Sequence, residues 1–367
     1  MIRIAQPEIG DEEIAAVNDV LKSGIIAQGS RVAQLEEDFA KFCGTKHALA
    51  VSSGTAAIHA ALHAAGVSEG DEVITVPFSF IATINPILMV GGTPVLVDVD
   101  PVTFCMDTVQ LKAAITSKTK AIIPVHLYGQ PADMDEINKI AKKHNLMVIE
   151  DACQAIAADY KGKKTGGLGD LGCFSLYATK NIMCGEGGMI TTNNDEYAAK
   201  IRSFRQHGMS APYVYEELGY NYRLTDLQGA IAVEQLKKAI RFTEARQRNA
   251  QELTEGLWGI KGLTLPATAP DRTHAYHQYT IRVTKDFVLG RDEFVEKLHE
   301  LGVGAGVYYP RGLHTYPHIK AFGFEEGDFP ETEQAASEVV SLPVHPALSH
   351  EDIQAIIDTI RGLANAK

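Results

Sequence analysis

The 367-residue chain is 45% hydrophobic and 22% charged, the make-up of an ordinary globular protein long enough for two domains. Its formal net charge of −12 excludes a general binder of nucleic acid or anionic membranes, because no basic excess exists to neutralise phosphates. Five scattered cysteines (Cys43, Cys105, Cys153, Cys173 and Cys184) form no C-x-x-C pair, which argues against a disulfide framework or structural zinc and for a reducing cytoplasm. The start, Met1-Ile2-Arg3-Ile4, lacks a basic-then-apolar signal pattern, and no apolar run reaches spanning length.

Val32, Leu35, Phe39 and Phe42 recur at helical spacing, and Gly44 stops that helix. Short apolar runs follow at 48–51, 72–76, 94–99, 121–125 and 146–149, alternating with helical patterns near 56–65, 81–90, 109–115 and 134–144. His59 and His63 stand four apart on one of these helices, but the glutamate of a zinc-protease motif is missing between them. They read as ordinary helix histidines, and no metal site is expected. Two further runs, 173–177 and 189–192, are joined by a short loop that contains Lys180. A long helix is expected over 225–257, then a strand at 276–283, a helix at 291–301 and a strand at 303–307. A Pro-rich stretch and two last helices end the chain, with Ser349 and Asp352 spaced as an N-cap. The pattern predicts an α/β protein. A large domain, 1–245, carries a mostly parallel sheet with helices on both faces, and a smaller α+β domain covers 246–367.

Three features carry chemistry. Ser52-Ser53-Gly54-Thr55 falls where a strand ends and an Ala-rich helix begins, so free N–H groups, hydroxyls and the helix dipole converge as they do around a phosphate. The same residues would also serve simply to cap the helix. Asp151 follows an apolar strand, at the edge where open α/β sheets bind ligands; a carboxylate there can pair with a protonated ring nitrogen, or can merely close a turn. Glu150 faces the other way and reads as structural. Lys180 lies five residues after Ser175 and just before Gly185-Glu186-Gly187-Gly188, between two apolar strands. Burial would leave its amine uncharged and able to attack an aldehyde, although a lone lysine is ordinarily a surface residue.

Together these segments resemble the DegT/DnrJ/EryC1/StrS family of sugar aminotransferases, which have the type I fold of pyridoxal-phosphate (PLP) enzymes. The resemblance runs through Ser53–Thr55, the run Val76-Pro77-Phe78-Ser79-Phe80-Ile81-Ala82-Thr83, Pro124–Gly129, Glu150–Ala155, Ser175–Lys180 and Gly219–Gln228, nearly the whole chain in the family's order. It implies that Lys180 is the lysine that holds PLP as a Schiff base and that Asp151 partners the ring nitrogen. Gln154 would lie near the phenolic oxygen, and Gly54, Thr55 and Ser175 near the phosphate. Phe80 would stack on the ring, and Asn221 would reach the phosphate of a neighbouring subunit, making a homodimer obligatory. The resemblance further implies L-glutamate as amino donor and a nucleotide-linked 3- or 4-keto-deoxysugar as acceptor. Arg223, His207, Tyr309, Arg311 and His314 are candidates to meet that sugar nucleotide, Arg311 at its pyrophosphate. Arg311-Gly312 departs from the family's usual hydrophobic-Pro-Leu-His pattern. Amination of a cyclitol ketone, deoxysugar dehydration and a non-catalytic regulatory role are the alternatives. The family's dehydratases carry histidine at the position of Lys180.

Overall fold

In the computed structural model, which describes residues 1–365, seven strands form the main sheet. They are β1 (His47–Val51), β2 (Glu72–Thr75), β3 (Thr93–Leu96), β4 (Thr119–Ile122), β5 (Met147–Asp151), β6 (Leu171–Ser175) and β7 (Gly188–Thr192), in the order β1-β7-β6-β5-β4-β2-β3. Strands β3, β2, β4, β5 and β6 pair in parallel, whereas β7 runs antiparallel to both β6 and β1. The exception has a simple cause. A parallel pair needs a long crossover, and the link from β6 to β7 has no helix with which to make one.

Helices cover both faces. On one side α1 (Asp11–Ser23) and α2 (Ser30–Cys43) pack with the long helix described below, where Leu35, Phe39, Phe174, Met189 and Phe242 share a core. On the other side α3 (Gly54–Ala64) lies against the sheet, joining Leu62 to Ile149 and Ile190. The next helices are α4 (Met134–His144), α5 (Asp195–Phe204) and the long α6 (Asp226–Leu257). At the start of α6 the Asp226 carboxylate is buried, and it accepts hydrogen bonds from the backbone N–H of Gly29, Arg31 and Val32 at 2.8–3.1 Å. One side chain thereby satisfies the start of α2 and ties it to α6.

Beyond residue 257 a second, antiparallel sheet of β8 (Leu263–Thr264), β9 (Tyr279–Val283) and β10 (Val339–Leu342) packs with α7 (Arg291–Glu300), α8 (Pro330–Glu338) and α9 (His350–Ala364). Its core joins Tyr279, Ile281, Phe294 and Ile356 to Leu253 and Leu257 from the end of α6. Residue 245 thus lies inside an unbroken helix that serves both cores. Residues 366 and 367, the end of the expected second domain, lie outside the described residues.

Some expected elements are shorter. The helix expected over 81–90 is a 3₁₀ turn, Ile81–Thr83, followed by a helix at Asn85–Met89, because Pro86 is confined to a helix's first turn. The strand expected at 303–307 makes only single bridges, Ile2 to Val303 and Gly306 to Ser341, because Gly304 and Gly306 give a strand no side chain to pack and cost more entropy to order. Ser349 caps α9 as expected, accepting from the Asp352 N–H. Among the described residues no helix is long and apolar enough to cross a membrane.

His59 lies buried on α3, its Nδ1 3.0 Å from the Tyr222 hydroxyl and its ring against Phe204 and Tyr220. Burial lowers its pKa to about 4, with the nearby His63 adding to the effect. Between pH 6.5 and about 4 the unfolded chain therefore binds a proton that the folded chain refuses. Stability is expected to fall as pH drops through that window, by about 1.4 kcal/mol per unit for this one group. Urea midpoints measured across the window should show a shallower decline for His59→Gln than for the wild-type chain.

Candidate active site

A cavity of about 540 Å³ opens at the carboxyl edge of the main sheet, where β5 ends in Asp151 and β6 in Ser175. The turn after β1 reaches the same cavity with Ser53, Gly54 and Thr55. Ser53 Oγ accepts from the Ala56 N–H at 3.1 Å, which sets the first turn of α3. The N–H groups of Gly54 and Thr55, at the positive end of α3, have no acceptor among the described residues. Two glycines make this convergence possible. A Cβ on Gly54 would meet Cys153 Sγ and Ser175 Cβ at 3.0 Å, and a Cβ on Gly188 would lie 2.3 Å from the Ser53 carbonyl oxygen.

Lys180 comes from the loop between β6 and β7. Backbone bonds from Leu176 to Gly187, Ala178 to Gly185 and Lys180 to Tyr177 close that loop and aim the lysine at the cavity. Its amine has no hydrogen-bond partner among the described residues, and burial holds its pKa below the ordinary lysine value against the opposing pull of Cys153 and Asp151. Asp151 Oδ2 accepts from Thr83 Oγ1 at 2.7 Å, and Oδ1 from the Cys153 N–H at 3.2 Å. The Gln154 amide accepts from the Tyr128 N–H at 2.9 Å and donates to the Tyr309 hydroxyl at 3.1 Å, so both its ends are oriented. Burial, with Asp151 nearby, keeps the Tyr309 phenol protonated. Phe80 stands 56% exposed at the mouth, its ring centroid 6.1 Å from that of Tyr309.

Glu150, one residue before Asp151, has the opposite fate. Its carboxylate is fully buried and accepts from the N–H groups of Gly166, Leu168 and Gly169 at 2.7–2.8 Å. His126 completes the set. Its Nδ1 accepts from the Ala132 N–H, so Nε2 carries the proton and donates to Glu150 at 3.0 Å.

The structure brings Lys180, Asp151, Gly54, Thr55, Phe80, Gln154, Ser175 and Tyr309 to one cavity, and leaves five expected residues, Asn221, Arg223, His207, Arg311 and His314, outside it. Asn221 is exposed and bridges to Gln206. Arg223 shares a separate groove of about 1200 Å³ with His207. Arg311, expected to meet a pyrophosphate, instead lies 3.9 Å over the Tyr316 ring. His314, expected to meet a substrate, is fully buried with Nε2 3.0 Å from Glu333 and its ring against Phe329. Its Nδ1 has no hydrogen-bond partner among the described residues, and the ring does not line the Lys180 cavity. Residues not singled out for the site also line the cavity: Ser79, Thr83, Tyr177, Glu186, His277 and Gln278. Ser79 and Thr83 were visible as polar residues inside the run Val76–Thr83. His277 gave no local signal; burial, with Lys180 and Arg246 nearby, keeps its imidazole uncharged, and its Nδ1 has no partner among the described residues.

The model of the DegT/DnrJ/EryC1/StrS aminotransferase family matches residues 7–361. The chain belongs to that family. It is 45% identical to a protein of Geobacillus stearothermophilus named pleiotropic regulatory protein, across 96% of this chain and 94% of the relative. It is 40% identical to the GDP-perosamine synthase of Caulobacter vibrioides, across 97% and 96%. Among solved structures, DesV of S. venezuelae superposes with a TM-score of 0.93 at 36% identity, covering 97% of this chain and 95% of DesV. The PLP form of Spr1654 from Streptococcus pneumoniae superposes with a TM-score of 0.93 at 28% identity, covering 99% and 98%. The chain is an aminotransferase with the α/β fold of PLP-dependent sugar aminotransferases.

The geometry separates the two neighbouring carboxylates by experiment. Glu150→Gln turns an amide N–H toward backbone donors that need acceptors. It should lower stability by about 2–4 kcal/mol, read as a lower urea midpoint, although no atom of Glu150 faces the cavity.

Proposed function

We propose that this aminotransferase holds pyridoxal phosphate in the Lys180 cavity and moves an amino group from L-glutamate to a nucleotide-linked 3- or 4-keto-deoxysugar. One observation carries the proposal: the unpaired amine of half-buried Lys180 and the Asp151 carboxylate face the same cavity, which also takes in a helix start with free N–H groups. The fit is specific. The Gly54 cradle has no room for a Cβ, and the donors of Gly54, Thr55 and Ser175 are those a phosphate takes.

Pyridoxal phosphate, when bound, supplies an electron sink that lets the Cα of an amino donor release a proton. The chain's own residues do the rest. Gly54, Thr55 and Ser175 hold the phosphate, Asp151 keeps a proton on the ring nitrogen, Gln154 offers an N–H to the phenolic oxygen and Phe80 covers the ring. Lys180 Nζ, whose charged form is disfavoured by the apolar surroundings that lower its pKa, takes the proton from the donor's Cα and later returns one to the carbon that receives the amine. Asn221 lies outside its own cavity and serves the cavity of a second copy, in a cytoplasmic homodimer. A division near residue 245 into a large cofactor-binding domain and a smaller one accords with the two cores that meet along α6.

Sugar-nucleotide specificity is supported by the relative named GDP-perosamine synthase. A regulatory role, suggested by the name of another relative, predicts a damaged lysine, aspartate or phosphate turn, and all three are intact here. Lysine at position 180 disfavours the dehydratase alternative.

Purified protein should be yellow, and borohydride should bleach it while fixing the cofactor to Lys180. Lys180→Ala should retain less than about a thousandth of multiple-turnover activity, and substantial turnover in that variant would refute its role. Glutamate-dependent amination across dTDP-, UDP- and GDP-linked ketosugars identifies the acceptor; reaction with a keto-cyclitol alone would overturn the sugar assignment.

A further inference from the structure

Thr83 ends the 3₁₀ turn Ile81–Thr83, and Ser79 lies on the approach to that turn. Both side chains are 1% exposed, and both line the Lys180 cavity. Ser79 Oγ and Thr83 Oγ1 are 2.8 Å apart, and Thr83 Oγ1 is 2.7 Å from Asp151 Oδ2. We infer that Ser79 and Thr83 are positioning residues that act through Asp151, an inference that rests on the cofactor reading of this cavity.

The direction of the protons follows from the chemistry of the groups. An ionised Asp151, which pairing with a protonated ring nitrogen demands, can only accept. Thr83 must then donate to Oδ2, so its oxygen is the acceptor for the Ser79 hydroxyl. Ser79 has committed its single proton and presents only lone pairs to the cavity. The Cys153 N–H meets the other carboxylate oxygen at 3.2 Å, so donors from two separate segments, one on each oxygen, fix the plane of the carboxylate. Held in that plane, the carboxylate would keep free lone pairs aimed at a protonated ring nitrogen, so that the ion pair stabilises the proton there, where it serves the electron sink.

The test uses the full-length protein loaded with ¹⁵N-labelled pyridoxal phosphate, with Thr83→Val, Thr83→Ser and Ser79→Ala as variants. Removal of the donor in Thr83→Val should move the ring ¹⁵N resonance toward its unprotonated position. It should also weaken cofactor binding to the apoprotein by about tenfold, as loss of a charge-assisted hydrogen bond does. Thr83→Ser should restore the resonance and bring the affinity within about threefold of wild type, and Ser79→Ala should change both in the same direction by a few-fold. A purely structural threonine would lower the melting temperature without moving the resonance. Wild-type resonance and affinity in a folded Thr83→Val protein would overturn the inference. Should that variant not fold, the same result in Ser79→Ala would do so. Failure of the wild-type protein to hold the cofactor at all would refute the reading of the cavity itself, and Asp151→Asn, expected to lose the protonated-nitrogen signal, separates the two failures.

Discussion

The backbone of Ser53 crosses Gly188 so closely that a Cβ there would lie 2.3 Å from the Ser53 carbonyl oxygen. The geometry of the site follows from this crossing. Gly188 begins β7, whose antiparallel course wedges it between β1 and β6. The turn after β1 can reach the ends of β5 and β6 only by passing over that wedge. A side chain at residue 188 would lift the turn and carry the free N–H groups at the start of α3 away from Ser175 and Lys180. The antiparallel strand also needs a short return loop, and that loop brings Lys180 back over the edge where Asp151 ends.

Strand alternation divides labour between the adjacent carboxylates. Successive side chains on β5 point to opposite sides. Glu150 therefore turns to the loop at 166–169, where three N–H donors and His126 use up its lone pairs. Asp151, with two donors, keeps lone pairs free toward the cavity. A carboxylate whose acceptor sites are filled is a structural clamp, whereas one left partly unfilled is available for chemistry.

The order of elements, the helix stops and the long α6 were legible in the sequence because periodicity and caps are local. The cluster of Lys180, Asp151, Gln154 and the Ser53–Thr55 turn was legible only through the joint pattern of its motifs, since no single segment distinguishes a cavity lysine from a surface one. What escaped depends on side-chain partners remote in sequence. His314 and Arg311 sit in a polar, aromatic stretch that looks suited to a nucleotide, yet Glu333 and Phe329 enclose the first, while the second, exposed, stacks on Tyr316 outside the Lys180 cavity. His277 enters the cavity because the segment at 275–278 is strapped to Tyr128 and Gly129 through the Ala275 and Gln278 N–H groups, a pairing across about 150 residues that leaves no local trace.

The proposed composite assembly rests on position more than on surface chemistry. Asn221 and Arg223 lie beside the groove that also contains His207, and neither lines the Lys180 cavity of its own chain. If Asn221 contacts a cofactor phosphate, it does so in another copy. The mouth of the cavity is consistent with such a neighbour, because Phe80 and Tyr177 remain 56% and 45% exposed there. The Tyr213–Tyr215 hairpin likewise projects Tyr213 at 87% exposure beyond the single chain. Phe80 and Tyr177, exposed beside a cavity lined by Lys180, Asp151 and the start of α3, are the aromatic surface against which the proposed second chain would pack.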